Sequence, residues 1–289
     1  MISASLINKI ESYRLDVANI QNLISHAFAE DIPDGDDKTT IATIDPKQVS
    51  RAEMRARKDG IVAGVVIAAA VFESVGISKI SFERECGDFV RAGDTILIVE
   101  GNTRDILRSE RVALNFISHL SGIATLTRRY VDAVAGTGAK IRDTRKTTPG
   151  LRQLEKFAVR MGGGMNHRMN LSDGAIIKDN HIAASGSITK AVERMRSEFP
   201  GMELEVEVDD LDQLREAIAC GAELVLLDNM DIAMTKEAVA IATNSKTKLE
   251  SSGGITLENL RSYAETGVAY IAIGALTHSA PILDIGLDF

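Results

Sequence analysis

Seven Lys or Arg residues (Arg142, Arg145, Lys146, Arg152, Lys156, Arg160 and Arg168) stand between positions 142 and 168 against two acids, Asp143 and Glu155. This local excess of five positive charges sits inside a chain of 289 residues whose 33 Lys and Arg and 41 Asp and Glu sum to −8. Arg145 and Lys146 close a short apolar run and precede Thr-Thr-Pro-Gly, a turn that ends regular structure, so they are candidates to hold an anion. Arg152, Lys156 and Arg160, four residues apart, read instead as one solvated face of a helix. In GGGMNHR, glycines 162 to 164 permit close backbone approach, and His167 and Arg168 follow at once. The planar fork of an arginine matches a carboxylate or phosphate bidentately, so two or three of them suit a dianion. Neither a dinucleotide glycine fingerprint nor a P-loop is present.

The acids form a second group. In MELEVEVDD, strand alternation puts Glu203, Glu205 and Glu207 on one face and Leu204, Val206 and Val208 on the other. If the acidic face points into a protein interior, Glu207 and Asp228 need a cation, which Lys178, a metal ion or both would supply. Oxygen-only ligands beside a phosphate-bearing molecule favour Mg²⁺ held largely through water. Farther on, SSGGITLENL joins a strand end to a glycine pair and a helix start capped by Thr256, and IGALTH repeats a glycine turn. Backbone N–H groups at such turns bind phosphate without basic side chains. These groups together describe a site for a small carboxylate-rich molecule, a terminal phosphate and a magnesium-bound polyphosphate.

The elements that must position these residues are regular after Gly138. Short apolar or alternating runs near 140, 175, 204, 224, 248 and 270 are separated by helical patterns, a βα unit repeated about six times. Right-handed crossovers leave an open doubly wound sheet or a closed barrel. Chemically loaded residues end nearly every run, which favours a barrel, here with fewer than eight strands. Up to about Gly101 the pattern is that of a small α/β domain, with an amphipathic helix around Ile20 to Glu30 and alternating ISFERE and DTILIVEG. Ser109 to Ala135 reads as a helical connector broken near Ser121-Gly122.

The acidic balance argues against a general nucleic-acid or anionic-membrane binder. The longest apolar run, Ile61 to Phe72, is too short to cross a bilayer and reads as buried core. Cys86 and Cys220 form no disulfide framework or zinc cluster, and the first residues carry no targeting signal, so a cytoplasmic location is expected.

The chain resembles the quinolinate phosphoribosyltransferases. The likeness rests on DTRKTTPGLRQLEKFAVRMGGGMNHRMNLSDGAIIKDNHI from Asp143, with ERVALNFISHLSGIATLTRRYVDAV before it and LEVEVDD, LVLLDNM, SSGGITLENL and IGALTHSA after it. AEDIPDGDDKTT and KDGIVAG near the amino terminus extend it to nearly the whole chain. The resemblance implies an NAD-biosynthetic enzyme. It would transfer phosphoribose from phosphoribosyl pyrophosphate to quinolinate with decarboxylation, giving nicotinate mononucleotide, pyrophosphate and CO2. It also implies an α/β protein: a mixed α/β sandwich domain over 1–115, an incomplete barrel over 116–275, and a tail over 276–289 returning to the first domain. Arg145, His167, Arg168 and Lys178 would line the quinolinate pocket, joined by Arg111 across the interface of a homodimer. Lys146, Glu207 and Asp228 would serve phosphoribosyl pyrophosphate and its Mg²⁺, with no organic cofactor. Ser252, Gly253, Gly254 and Gly274 would hold the 5′-phosphate, and Lys146, Lys178, Glu207 and Asp228 would carry the catalysis. Asn170 departs from the glycine usual there and is expected to reshape a turn. Lys178 within IIKDNH sets the chain apart from a similar group associated with molybdenum transport operons.

Two rivals compete with this reading: a Schiff-base aldolase using Lys178, and a catalytically silent phosphometabolite-binding protein. His26, His119, His181 and His278 read as structural, with His181 and His278 near enough in sequence to the site to support it.

Overall fold

The computed structural model describes residues 2–35 and 37–289. They divide into two compact units, one built from residues up to 128, 153–163 and 279–289, the other from 129–152 and 164–278.

Three helices open the first unit: α1 (Ala4–Ser12), α2 (Val17–Asp31) and α3 (Lys38–Thr43). Each begins where a side-chain oxygen accepts a backbone N–H that the helix leaves free, from Ser3, Asp16 and Asp37 respectively. The strands follow: β1 (Val49–Ala56), the short pair β2 (Gly60–Ile61) and β4 (Phe89–Val90), and β3 (Lys79–Phe82) and β5 (Thr95–Asn102). β1 is central in an antiparallel sheet, flanked by β5 on one side and by the chain's last strand, Ile285–Asp288, on the other, with β3 beyond β5. Its alternation places Ala52, Met54 and Ala56 in the core. The apolar run from Ile61 becomes α4 (Val65–Ser74), whose residues Val65 to Phe72 are all buried. Among the described residues no helix is long and apolar enough to cross a membrane.

Two expectations for this unit fail. The connector is not broken at Ser121-Gly122, because α5 runs without interruption from Thr103 to Ala133. Ser121 instead uses its hydroxyl to clamp another segment, accepting from the Ala63 N–H at 2.9 Å and donating to the Ala63 carbonyl at 3.1 Å. Gly122 admits the chain's return, since a Cβ there would lie 2.2 Å from the Pro281 carbonyl oxygen. Small residues here mark close packing, and the helix hydrogen bonds continue through them. Nor is the basic stripe solvated. In α6 (Arg152–Met161) every residue from Leu154 to Val159 is buried, Lys156 completely. Arg160 is half-buried and donates to the Tyr13 carbonyl at 2.7 Å, while Arg152 donates from Nε to Thr147 Oγ1 at 2.9 Å. Four-residue spacing identifies a face of a helix; it says nothing about what packs on that face.

The second unit alternates strands and helices: β6 (Lys140–Arg142), β7 (Ala175–Ile177), α7 (Asp179–Ser185), α8 (Ile188–Glu198), β8 (Leu204–Val208), α9 (Leu211–Ala219), β9 (Leu224–Asp228), α10 (Ile232–Ala242), β10 (Lys248–Ser252), α11 (Leu260–Ala264), β11 (Tyr270–Ala272) and α12 (Ala275–His278). The last strand, β12 (Ile285–Asp288), belongs to the first unit's sheet. All six strands of the second unit are parallel, in the order β6-β11-β10-β9-β8-β7. From β7 to β11 each strand pairs with the next, and β11 then pairs with β6, the first. A doubly wound sheet reverses direction midway, whereas this order advances one way and returns to its start. The result is a barrel interrupted between β6 and β7, where Met165 pairs with Arg142 in parallel. Six parallel strands therefore present their carboxyl ends on one side.

Replacing Gly122 with Ala tests the close approach at α5. Ala is worth up to about 1 kcal/mol more than Gly inside a helix. The clash with Pro281 is expected to reverse that sign, with a loss of roughly 1–3 kcal/mol in urea unfolding.

Candidate active site

One cavity of about 590 Å³ lies at the carboxyl ends of the parallel strands. Following β6 come Thr144, Arg145 and Lys146; a later loop supplies His167 and Arg168; Lys178 follows β7. Glu207 comes from β8, Asp228 and Asn229 from the end of β9, and Ser252, Gly253 and Gly254 from the end of β10. Ten of the residues singled out from the sequence thus border one cavity. Gly274 does not line it but lies against the Lys146 stem and His278. Arg111 is exposed on α5, in the other unit.

Arg145 and Arg168 form its positive wall. Each has a buried Nε with no hydrogen-bond partner. Arg168 donates from Nη1 to the Gly174 carbonyl at 2.8 Å, and among the described residues neither arginine forms an ion pair. Burial first, then repulsion from Arg145, pulls the Arg168 guanidinium below its ordinary value, and the Glu205 and Glu207 carboxylates oppose this. Two like charges so placed bind a dianion better than either would alone.

The negative wall is divided. Lys178 donates to Glu207, so the expected cation for that carboxylate is present. Asp228 takes a hydrogen bond on Oδ2 from Asn229 Nδ2 at 2.8 Å, and no Lys or Arg pairs with it among the described residues. Its remaining oxygen and the Glu207 oxygen not held by Lys178 are the oxygen donors that could hold Mg²⁺ carrying most of its water. Lys178 is itself placed by α7, whose residue His181 accepts the Lys178 N–H on Nδ1 at 3.0 Å.

Beneath the cavity lies a buried cluster that sequence reasoning missed. His167 Nε2 donates to Glu205 Oε2 at 2.7 Å, and Arg142 donates to Glu250. Ligand atoms of His167, Glu205 and Glu250 lie within 4.8 Å of one another, an arrangement capable of holding a metal, although Arg142 already supplies a cation. Burial above all, with a neighbouring carboxylate adding to it and Arg142 opposing it, raises both Glu205 and Glu250 to about 7. Asp143, fully buried, accepts from the His167 N–H at 2.8 Å and from Asn166 Nδ2, tying the His167-Arg168 segment to the end of β6. The signal available was period two, since Glu250 shares a strand face with Ser252. Thr256 does not cap a helix: α11 starts at Leu260, and Asn259 Oδ1 accepts the Thr256 N–H at 2.8 Å. Asn170 accepts the Ser172 N–H at 2.8 Å, closing a turn on the exposed rim.

A family model described as quinolinate phosphoribosyl transferase, C-terminal domain, matches residues 123–288, and the corresponding N-terminal domain model matches residues 37–121. The chain belongs to the quinolinate phosphoribosyl transferase family. Within it, the chain is 48% identical over 273 residues to the nicotinate-nucleotide pyrophosphorylase (carboxylating) of Mycobacterium leprae, covering 93% of this chain and 96% of that protein. It is 46% identical to a probable nicotinate-nucleotide pyrophosphorylase (carboxylating) of Bacillus subtilis, with 93% of each covered. Among solved structures, the nicotinate-nucleotide pyrophosphorylase from Francisella tularensis superposes with a TM-score of 0.91 at 37% identity, over 95% of this chain and 97% of that one. That from Ehrlichia chaffeensis gives 0.88 at 42% identity, over 93% and 97%. The quinolinate phosphoribosyl transferase fold thus accounts for both units, the antiparallel sheet and the six-stranded parallel one.

The buried acids give this family member a pH signature. Folded Glu205 and Glu250 keep protons up to about pH 7, whereas an unfolded glutamate loses its proton near 4.5. Between these values the folded chain binds more protons, so this contribution to stability falls as pH rises. Glu250→Gln is expected to flatten the loss between pH 5 and 7.5 in urea titrations; equal slopes for the variant and the parent protein would contradict the assignment.

Proposed function

We propose that the protein catalyses phosphoribosyl transfer from phosphoribosyl pyrophosphate to quinolinate with decarboxylation, giving nicotinate mononucleotide, pyrophosphate and CO2 for NAD synthesis. The observation that carries the reading is the Arg145 and Arg168 pair, half-buried and, among the described residues, free of carboxylate partners, lining the same cavity as Asp228. Family membership supplies the reaction; this geometry supplies places for its charges.

Quinolinate is a dianion, and Arg145 and Arg168 would grip its carboxylates with His167 and Lys178 beside them. The ring nitrogen then faces the sugar. Its lone pair forms a bond to ribose C1 as the bond from C1 to the diphosphate oxygen breaks, and pyrophosphate departs with that electron pair. Lys146, exposed at the cavity mouth, would neutralise the departing charge. Mg²⁺, held through water by Asp228 and Glu207, would add charge neutralisation to the diphosphate when bound. The ring nitrogen is now cationic, and its charge stabilises the electron pair that stays on the adjacent carbon as CO2 departs; that carbon then uses the pair to take a proton from solvent. Decarboxylation therefore needs no organic cofactor; positioning and fixed charge do the catalysis. Backbone N–H groups at Ser252, Gly253 and Gly254, with Gly274 behind them, would hold the 5′-phosphate.

In this reading the functional form is a homodimer in which Arg111 reaches the neighbouring subunit's quinolinate. Cys86 and Cys220 are unpaired thiols, consistent with a reducing cytoplasm. Lys178 is engaged by Glu207, an arrangement suited to charge balance and ill-suited to a free amine nucleophile, so the aldolase alternative lacks its key group.

NMR of quinolinate incubated with the protein, phosphoribosyl pyrophosphate and Mg²⁺ tests the reaction directly. Nicotinate mononucleotide is expected to appear with equimolar pyrophosphate, and unaltered quinolinate would refute the proposal. Arg145→Ala is expected to weaken quinolinate binding by roughly 2–5 kcal/mol, as for a buried charge contact losing one partner. A calorimetric titration giving unchanged affinity would remove Arg145 from the pocket.

A further inference from the structure

Asn229 stands between the unpaired acid and the phosphate loop. Of the described residues other than glycine, only Arg14 and Asn229 have positive φ, that of Asn229 being 53°. Asn tolerates this region better than most side chains, yet Gly would occupy it at no steric cost. The side chain must therefore explain the choice, and three contacts show its use. The backbone N–H donates to the Ser252 carbonyl at 2.9 Å, fastening the end of β9 to the end of β10, where Asp228 pairs with Ser252. The amide Nδ2 donates to Asp228 Oδ2 at 2.8 Å. The amide Oδ1 fills the space beside Gly253, where a Cβ would lie only 2.1 Å away. A carboxylate needs a donor, which fixes the orientation of the amide, and an aspartate at 229 would set acceptor against acceptor.

We infer that Asn229 is a positioning residue that joins the Asp228 carboxylate and the Ser252-Gly253-Gly254 loop into one rigid receptor for the two phosphate-bearing ends of phosphoribosyl pyrophosphate. The inference rests on the proposed function above. It separates two halves of the cavity, because among the described residues Asn229 hydrogen-bonds to Asp228 and Ser252 and to neither Arg145 nor Arg168 on the quinolinate side. Gly at 229 keeps the backbone conformation and its N–H and removes only the amide.

Asn229→Gly is therefore the test, with Asn229→Asp as its charged counterpart. The measurements are calorimetric titration with phosphoribosyl pyrophosphate in Mg²⁺, a separate titration with quinolinate, thermal unfolding, and KM for each substrate. Asn229→Gly is expected to weaken phosphoribosyl pyrophosphate binding and raise its KM by about tenfold, the effect of one lost hydrogen bond to a charged group. Quinolinate affinity and unfolding temperature should stay at the parent values. Asn229→Asp should also weaken phosphoribosyl pyrophosphate binding, with quinolinate binding unchanged. Parent-like phosphoribosyl pyrophosphate binding in Asn229→Gly overturns the inference, as does a parallel loss for both substrates, which would mark a general structural role. If the unmutated protein itself binds no phosphoribosyl pyrophosphate, the proposed function falls, and this inference with it.

Discussion

Two guanidinium groups, Arg145 and Arg168, line the same cavity, and among the described residues neither is paired with a carboxylate. Like charges in a half-buried space repel, so this placement has to be imposed by the surrounding chain. Part of the restraint is covalent, since Arg145 follows β6 by three residues and cannot leave the strand end. Part is polar: Arg168 is held through the Gly174 carbonyl, and its segment is anchored by the buried Asp143, which accepts the neighbouring His167 N–H. The field of Glu205 and Glu207 offsets what repulsion remains. Neutralising either arginine internally by a direct ion pair would relieve the strain and abolish the anion site. The fold supplies negative charge nearby while keeping it out of bonding range.

That separation follows from the parallel arrangement. Each strand end delivers its own residue to the cavity, and neighbouring strands lie about 4.8 Å apart, so charges on successive strands come close without having to touch. Arg145 and Lys146 follow β6, Lys178 follows β7, Glu207 lies in β8, and Asp228 ends β9. β6 and β7 are the two edges of the interrupted barrel, and the segment carrying His167 and Arg168 connects them in sequence. The interruption gives the site its arginine.

Much of this was legible beforehand. Strands at 140, 175, 204, 224, 248 and 270 all form, because βα repeats write their period into the hydrophobic pattern, and the chemically distinctive residues converge because parallel strands end together. What failed has a common cause. Ser121-Gly122, Lys156 and Thr256 were each assigned from local preference, and each is decided by a partner distant in sequence or by a competing local acceptor. Gly122 meets Pro281, and Ser121 meets Ala63. Lys156 disappears into an interior that nothing in its own helix announces. Glu205 and Glu250 went unassigned because a buried carboxylate is costly and sequence alone does not reveal the arginine and histidine that make it tolerable. Asn229 was hidden by its backbone: a positive φ leaves no mark in the pattern.

The same buried cluster decides what His167 brings to the cavity. Its Nδ1 accepts the Arg168 N–H at 2.7 Å, so the ring proton belongs on Nε2, which donates to Glu205. Both ring nitrogens are thus engaged by the protein. Fixed positive charge in the site comes from Arg145, Arg168, Lys146 and Lys178, while His167 adds a polar surface whose orientation is fixed from below. Among the described residues the one Lys or Arg ion pair to these two acids is Arg142 with Glu250, and two buried carboxylates against one guanidinium leave one negative charge in excess. A proton retained on one carboxyl removes that excess, in keeping with the raised values of both. What negative charge the barrel interior keeps acts on Arg168 from a distance without pairing with it, so both arginines above remain available to a ligand.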